Sequence, residues 1–145
     1  MELPQSVEIK MSSIPNAGRG IFAKEPLNSN MLLGEYKGLW VSKQDFDRFS
    51  DEQRLKGFEY GWEICDYHGN KNRPKGTKLR DKQVIGYIDA RNESDGNFLR
   101  LINHSDTEDN VAAYQIKDKI YYVTKKIIKP GEELLVNYGT SFFNI

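Results

Sequence analysis

Asn97-Phe98-Leu99-Arg100-Leu101-Ile102-Asn103-His104-Ser105 runs from apolar residues into three consecutive polar ones, and Leu134-Leu135-Val136-Asn137-Tyr138-Gly139 follows the same course. Polar groups set into apolar runs need a reason. Desolvating an amide or hydroxyl without a partner costs on the order of 1–3 kcal/mol, so a stable fold satisfies them internally or offers them to a ligand. Asn110, seven residues after Asn103, belongs to the same polar set.

The chain around these stretches has 145 residues, enough for one domain with a hydrophobic core. Lys plus Arg and Asp plus Glu both total 21, so the net charge is zero and long-range attraction to DNA or membrane is not the default expectation. Cys65 is the only cysteine, which excludes an intrachain disulfide. With His68 and His104 as the only imidazoles, no metal site is expected. Met1 to Lys10 lacks the apolar centre of a signal peptide, and no stretch approaches the ~18 apolar residues of a membrane span. The expectation is an intracellular, soluble protein.

Short β segments punctuated by Gly, Pro and Asn dominate the chain, with no internal repeat. Val7 to Lys10, Gly20 to Ala23, Leu32 to Lys37, Tyr60 to Tyr67, Val84 to Asp89, Val111 to Ile116, Ile120 to Thr124 and Glu133 to Val136 read as strands. One helix is predicted over Lys43 to Lys56, with Ser42 as N-cap and Phe46, Phe49 and Leu55 on its apolar face. A helical turn is predicted over Asn97 to Asn103. The expected fold is mainly β and many-turned.

Gly18, Gly20 and Ala23 formally satisfy the G-x-G-x-x-A dinucleotide fingerprint, which requires the glycines to open a helix. Pro26 would fall inside that helix and break it, so a turn is expected instead. Lacking side chains at two alternate positions, this backbone can still approach a small ligand closely.

In order along the chain stand Ala17-Gly18-Arg19-Gly20-Ile21-Phe22, Gly34-Glu35-Tyr36-Lys37-Gly38, Tyr87-Ile88-Asp89-Ala90, the Asn97 to Ser105 stretch, Asn110, Gly131-Glu132-Glu133-Leu134 and Asn137-Tyr138-Gly139. Asn-His-Ser alone is a weak signal, but this ordered set resembles the SET-domain protein lysine methyltransferases over nearly the whole chain. Leu3-Pro4, Ser13 to Gly18, Tyr60-Gly61-Trp62 and Tyr121-Tyr122-Val123-Thr124 look most like the PR/SET branch, the PRDM proteins.

The resemblance implies a SET-domain fold of small curved β-sheets with short helices, in which the carboxy-terminal segment threads beneath a preceding loop as a pseudoknot. Asn103 and Tyr138 would meet at one internal site. It also implies S-adenosylmethionine as cofactor. Ala17, Gly18, Arg19 and Gly20 would hold its methionine part through backbone, Asn103 its amino group, and His104 its adenine mainly through backbone; Tyr60 is a further candidate for this pocket. Tyr138 would align the lysine amine, with the carbonyls of Arg100 and Ile102 touching the amine and the methyl hydrogens, and Tyr36 and Tyr122 would line the lysine channel. Val136 stands where this family often has Phe or Tyr, which implies room for more than one methyl group.

Departures from the family pattern are also visible. Many SET enzymes complete the lysine channel with a cysteine-rich zinc segment after the final tyrosine. Here only Thr140 to Ile145 follow Gly139, and Phe142 and Phe143 are candidates to cover the pocket. Residues 1–145 are expected to form a single domain, possible as an excerpt of a longer protein.

Asp106, Glu108 and Asp109 suit a basic tail such as that of histone H3, or are a solvated loop. His68 to Lys82 carries Lys71, Arg73, Lys75, Lys78, Arg80 and Lys82 against Asp81, which could touch nucleic acid or an acidic partner; without interleaved aromatics a solvated hairpin is the favoured reading, and no nucleic acid is required. Two functions stay open. The first is a nuclear, monomeric methyltransferase of a histone lysine, favoured by the intact Asn103, His104 and Tyr138; the second is a catalytically silent PR/SET module that recruits partners in transcriptional regulation.

Overall fold

The computed structural model describes residues 1–66 and 83–138 and the backbone of Phe143–Asn144. In chain order its strands are β1 (Val7–Met11), β2 (Arg19–Ala23), β3 (Leu32–Glu35), β4 (Leu39–Ser42), β5 (Gly61–Asp66), β6 (Gln83–Asp89), β7 (Asn103–His104), β8 (Val111–Ile116), β9 (Lys119–Thr124), β10 (Leu135–Val136) and β11 (Phe143–Asn144). They make three small sheets: the pair β1-β2, the antiparallel trio β4-β6-β5, and a sheet ordered β3-β9-β8-β10-β7 with β11 also pairing on β8. The mainly β expectation holds. The basic segment from His68 to Lys82 and the Phe142 and Phe143 side chains lie outside the described residues.

β7 and β8 are consecutive in sequence but not adjacent in their sheet. β10 lies between them, parallel to both, with Leu135 beside Asn103, and Val136 between His104 and Val111. Residues 105–110 therefore arch over β10. Ser105 N–H donates to Val136 O at 3.0 Å and Asn110 N–H to Leu135 O at 2.9 Å. The Asn110 amide pins the threaded segment from the side: Nδ2 donates to Glu133 O at 2.9 Å and Oδ1 accepts Leu135 N–H at 2.8 Å. This is the expected pseudoknot, and it satisfies one of the polar residues internally.

β2 runs as a strand through Ile21, Phe22 and Ala23, all buried, so no helix follows the Gly18 turn and the dinucleotide fingerprint fails as expected. The single helix expected over Lys43 to Lys56 is two, α1 (Lys43–Asp47) and α2 (Asp51–Glu59). Ser50 starts the second with a capping box: its Oγ accepts Gln53 N–H at 3.2 Å while Gln53 Oε1 accepts Ser50 N–H at 3.1 Å. The restart changes the helix phase. Phe58 rather than Leu55 reaches Phe46, at 5.3 Å between ring centroids, and Leu55 is 67% exposed. Phe46 itself stacks on Tyr87 at 3.7 Å, fixing α1 to the β4-β6-β5 sheet. β4, β7 and β11 were not foreseen; β7 is two residues long and exists through its pairing with β10.

Ile21, Leu27, Leu99, Ile102, Val111 and Ile128 form part of the core where the sheets meet. Among the described residues no helix is long and apolar enough to cross a membrane.

Candidate active site

Asn97 fixes the approach to the site. Its Oδ1 accepts Leu99 N–H at 3.2 Å, capping the 3-10 turn Phe98–Leu101, and its Nδ2 donates to Glu35 O at 2.8 Å. The chain then enters β7, and Asn103 and His104 face a cavity of about 210 Å³ lined by Asn16, Ala17, Glu59, Tyr60, Arg100, Ile102, Asn103, His104 and Tyr138. Seven residues singled out in the sequence thus meet: Ala17, Tyr60, Arg100, Ile102, Asn103, His104 and Tyr138.

Of the predicted loop contacts Ala17 lines this cavity, whereas Gly18, Arg19 and Gly20 lie beside it and line neither it nor the second cavity at Tyr138. Gly18 has φ +74°, a conformation that side chains disfavour, and Asn16 beside it has φ 66°. Arg19 O accepts Asn103 Nδ2–H at 3.0 Å, tying this loop to β7. The Arg19 side chain turns away to pair with Glu93 at 3.2 Å. A Cβ on Gly20 would sit 2.4 Å from Glu133 Oε2, so any side chain here would displace the Glu133 carboxylate from its bonds.

Glu133, at 7% exposure, stands in the ordered family set of the sequence but without a site role there, and the structure sets it directly behind Asn103. Its carboxylate accepts hydrogen bonds from Ser12 Oγ at 2.7 Å, Ser13 Oγ at 2.7 Å, Ser13 N at 3.0 Å and Asn103 Nδ2 at 3.3 Å. The available signal was a carboxylate directly before an apolar run, but its serine partners lie about 120 positions away in sequence.

The Arg100 side chain is buried as well. Nε donates to Ala90 O at 2.8 Å and Nη2 to Arg91 O at 3.2 Å, and the guanidinium lies 4.5 Å above the Tyr60 ring centroid. It therefore sets the Tyr60 ring at the cavity wall.

Tyr138 lines a second cavity too, of about 230 Å³, with Phe58, Gly61, Trp62 and Glu63. Its ring meets Trp62 edge-on at 4.8 Å and stacks on His104 at 5.1 Å. Tyr36, Trp62 and Tyr122 extend this aromatic group, with Tyr36 5.4 Å from Tyr122 and Trp62 Nε1–H donating to Tyr122 OH at 2.9 Å. Trp62 and Glu59 were not singled out in the sequence as site residues. Val136 lines neither cavity; it is fully buried beneath the site. Burial, then the nearby Tyr60 and Glu59, pushes the Tyr138 hydroxyl up to about 12. Burial likewise raises Tyr36 and Tyr122 well above the usual tyrosine value.

The loop after Asn103-His104-Ser105 offers less charge than its composition implied. Asp106 Oδ1 bonds His104 Nε2 at 2.7 Å, and Asp109 pairs with Lys125, whose hydrogen bond lowers its pKa. The carboxylates at the two cavities are instead Glu59 and Glu63. Among the described residues no group of three His, Cys, Asp or Glu could hold a metal ion.

The sequence profile of the PR domain of PR domain zinc finger protein 2 matches residues 7–145. Histone-lysine N-methyltransferase set-17 of Caenorhabditis elegans is 35% identical over 144 residues, covering 98% of this chain and 44% of that protein. Histone-lysine N-methyltransferase PRDM16 of Mus musculus is 33% identical over 149 residues, covering 99% and 11%. The chain spans less than half the length of these relatives. The methyltransferase domain of human PR domain-containing protein 2 superposes with a TM-score of 0.66 at 25% identity, over 99% of this chain and 79% of that one. A ctPRC2 structure in an autoinhibited conformation bound to S-adenosylmethionine superposes with a TM-score of 0.64 at 26% identity, over 94% of this chain and 15% of that one. With β10 threaded between β7 and β8 and a profile match over nearly its full length, the chain belongs to the PR-domain branch of the SET-domain protein lysine methyltransferases.

Proposed function

We propose that this domain transfers a methyl group from S-adenosylmethionine to a lysine ε-amine on a basic protein tail, histone H3 being the first candidate, and that it does so in the nucleus. One observation carries the reading: Tyr138 is a wall of both the polar Asn103 cavity and the apolar cavity formed with Phe58 and Trp62. A cofactor and a lysine could thus approach the same hydroxyl from two sides.

The polar cavity suits the cofactor. Its donor and acceptor set is the Asn103 amide, the Glu59 carboxylate and the Asn16 and Ala17 segment, beside a flat Tyr60 ring. Asn103 and the Ala17 to Gly20 backbone would hold the amino-acid part, and His104 the adenine. When bound, S-adenosylmethionine supplies an electrophilic methyl group on a cationic sulfur.

Lysine arrives protonated, since its ordinary pKa is about 10.4, and must lose a proton to attack. The apolar surfaces of Phe58, Trp62 and Tyr138, with Tyr36 and Tyr122 buried against Trp62 and lining neither cavity, disfavour the charged form by desolvation. Tyr138, held neutral by burial, is not a base at neutral pH; its hydroxyl serves to orient the amine. The Arg100 and Ile102 carbonyls complete the alignment through weak contacts. In-line transfer gains most from such positioning.

The test is transfer of labelled methyl from S-adenosylmethionine to histone H3 and a peptide panel, comparing wild type with Tyr138→Phe. Robust wild-type transfer with a large loss in the variant is expected. No transfer and no cofactor binding by calorimetry would overturn the reading, whereas binding without transfer to any peptide would favour a silent interaction module.

A further inference from the structure

The Asn103 amide has a fixed polarity. Nδ2 donates to Arg19 O at 3.0 Å and to Glu133 Oε2 at 3.3 Å, and a carbonyl and a carboxylate can only accept. Among the described residues Oδ1 accepts no hydrogen bond. Reversing the amide would set its oxygen against two other acceptors. Asn103 therefore keeps its NH2 toward the protein and has its oxygen left for a donor from the cavity that it lines.

Glu133 enforces this arrangement without lining the cavity itself. Three bonds from Ser12 and Ser13 hold its carboxylate, at 2.7, 2.7 and 3.0 Å, and Asn110 holds its backbone oxygen at 2.9 Å. The missing side chain of Gly20 leaves the space that the carboxylate fills. A carboxylate held by donors from Ser12 and Ser13 presents Asn103 with acceptor lone pairs only.

We propose that Glu133 is a positioning residue that sets Asn103 as a hydrogen-bond acceptor and thereby gives the cavity its preference for ligands bearing a cationic amino group. The proposal rests on the cofactor reading above and goes beyond it by assigning selectivity to a residue outside the cavity. Glu133→Gln keeps the side-chain size but replaces one acceptor oxygen by a donor NH2. Ser13, which donates twice to Oε1, keeps the remaining oxygen on its side, so the new NH2 takes the place of Oε2, faces Asn103 and Ser12 Oγ, and favours the reversed amide.

Calorimetry on the whole domain would use two probes: S-adenosylhomocysteine, which retains the α-amino group, and 5′-methylthioadenosine, which lacks the amino-acid arm. Wild type should prefer the former. Glu133→Gln should weaken it about 10-fold or more, the scale of one hydrogen bond to a charged group, while methylthioadenosine changes less than about 3-fold. Should Glu133→Gln fail to fold, Ser13→Ala, which removes one bond to the carboxylate, should show the same selective loss at about 2- to 5-fold. Equal weakening of both probes, or none, would overturn the proposal alone. A wild-type domain that binds neither would overturn the cofactor reading, and the proposal with it.

Discussion

His104 Nδ1 accepts the backbone N–H of Tyr138 at 3.1 Å, and the two rings lie within 7° of parallel with centroids 5.1 Å apart. Nε2 meets the Asp106 carboxylate at 2.7 Å, so the partners assign the hydrogen to Nε2 and leave Nδ1 as acceptor. Reading His104 from its sequence as a backbone contact to adenine leaves out this second task, which is to fix the backbone from which Tyr138 projects.

His104→Ala should therefore lower the rate at saturating cofactor by about 10- to 100-fold, because small displacements of a positioning group are costly. His104→Asn, whose Oδ1 can take the place of Nδ1, should recover much of it. Single-turnover rates beside calorimetric cofactor affinities separate the effects. A changed affinity with an unchanged saturated rate would remove His104 from the positioning of Tyr138.

Tyr138, with its hydroxyl pushed up to about 12 by burial, stays neutral through the physiological range. The rate should rise with pH as the substrate amine loses its proton, and Tyr138→Phe should scale the profile down by about 100-fold without moving its midpoint. Rate measurements from pH 7 to 9.5 check this. A flattened profile in the variant would identify Tyr138 as the group that titrates.

Burial raises Tyr36, Tyr122 and Tyr138 together, and this couples stability to alkaline pH. Below pH ~10 neither the folded nor the unfolded state releases these protons, so the contribution is fully present. Above that value the unfolded chain ionises first, and stability falls as pH rises through the folded values. Tyr138 alone should account for a loss on the order of 2–3 kcal/mol between pH ~10 and ~12. Urea midpoints at pH 8, 10 and 11 should decline with increasing steepness, and Tyr138→Phe should decline less. A constant midpoint up to pH 11 would contradict the assignment.

The residues that were legible in the sequence share one property: their role follows from local pattern. Ser42 capped a helix as its position implied, its Oγ accepting Asp45 N–H at 3.1 Å, and Val111–Ile116 formed a strand over the bounds that its composition implied. Asn103 and Tyr138 stood out because polar residues in apolar runs are costly. Glu133 and Trp62 fell within family motifs but gained no role from them, because a carboxylate after a turn and a tryptophan in a strand are ordinary until partners from distant segments reach them. The Ser50 capping box was readable as Ser50 and Gln53, but the periodicity of Phe46 and Phe49 masked the break between the helices. β7 was hidden for a different reason, since two residues have no period and their pairing partner arrives about thirty positions later.

Gln115 offers a test of how the sheets are joined. It is 1% exposed on β8, where Oε1 accepts Cys65 N–H at 3.0 Å and Nε2 donates to Cys65 O and Lys117 O, each at 2.7 Å. One side chain thus links β5 to β8 close to the irregularity in the β5–β6 pairing between Ile64 and Cys65. Gln115→Leu preserves most of the volume but takes this partner from three backbone groups, which should cost roughly 3–9 kcal/mol at about 1–3 kcal/mol per buried group. Gln115→Glu should be worse, because it can still accept from Cys65 N–H but brings a buried charge against two carbonyl oxygens. Against a total stability of about 5–15 kcal/mol for a typical domain, either change should move the urea midpoint sharply. Cofactor affinity, measured where the variant remains folded, should change little, since Gln115 lines neither cavity beside Tyr138. A destabilisation below about 1 kcal/mol would show that the surrounding sheet can satisfy Cys65 and Lys117 without it.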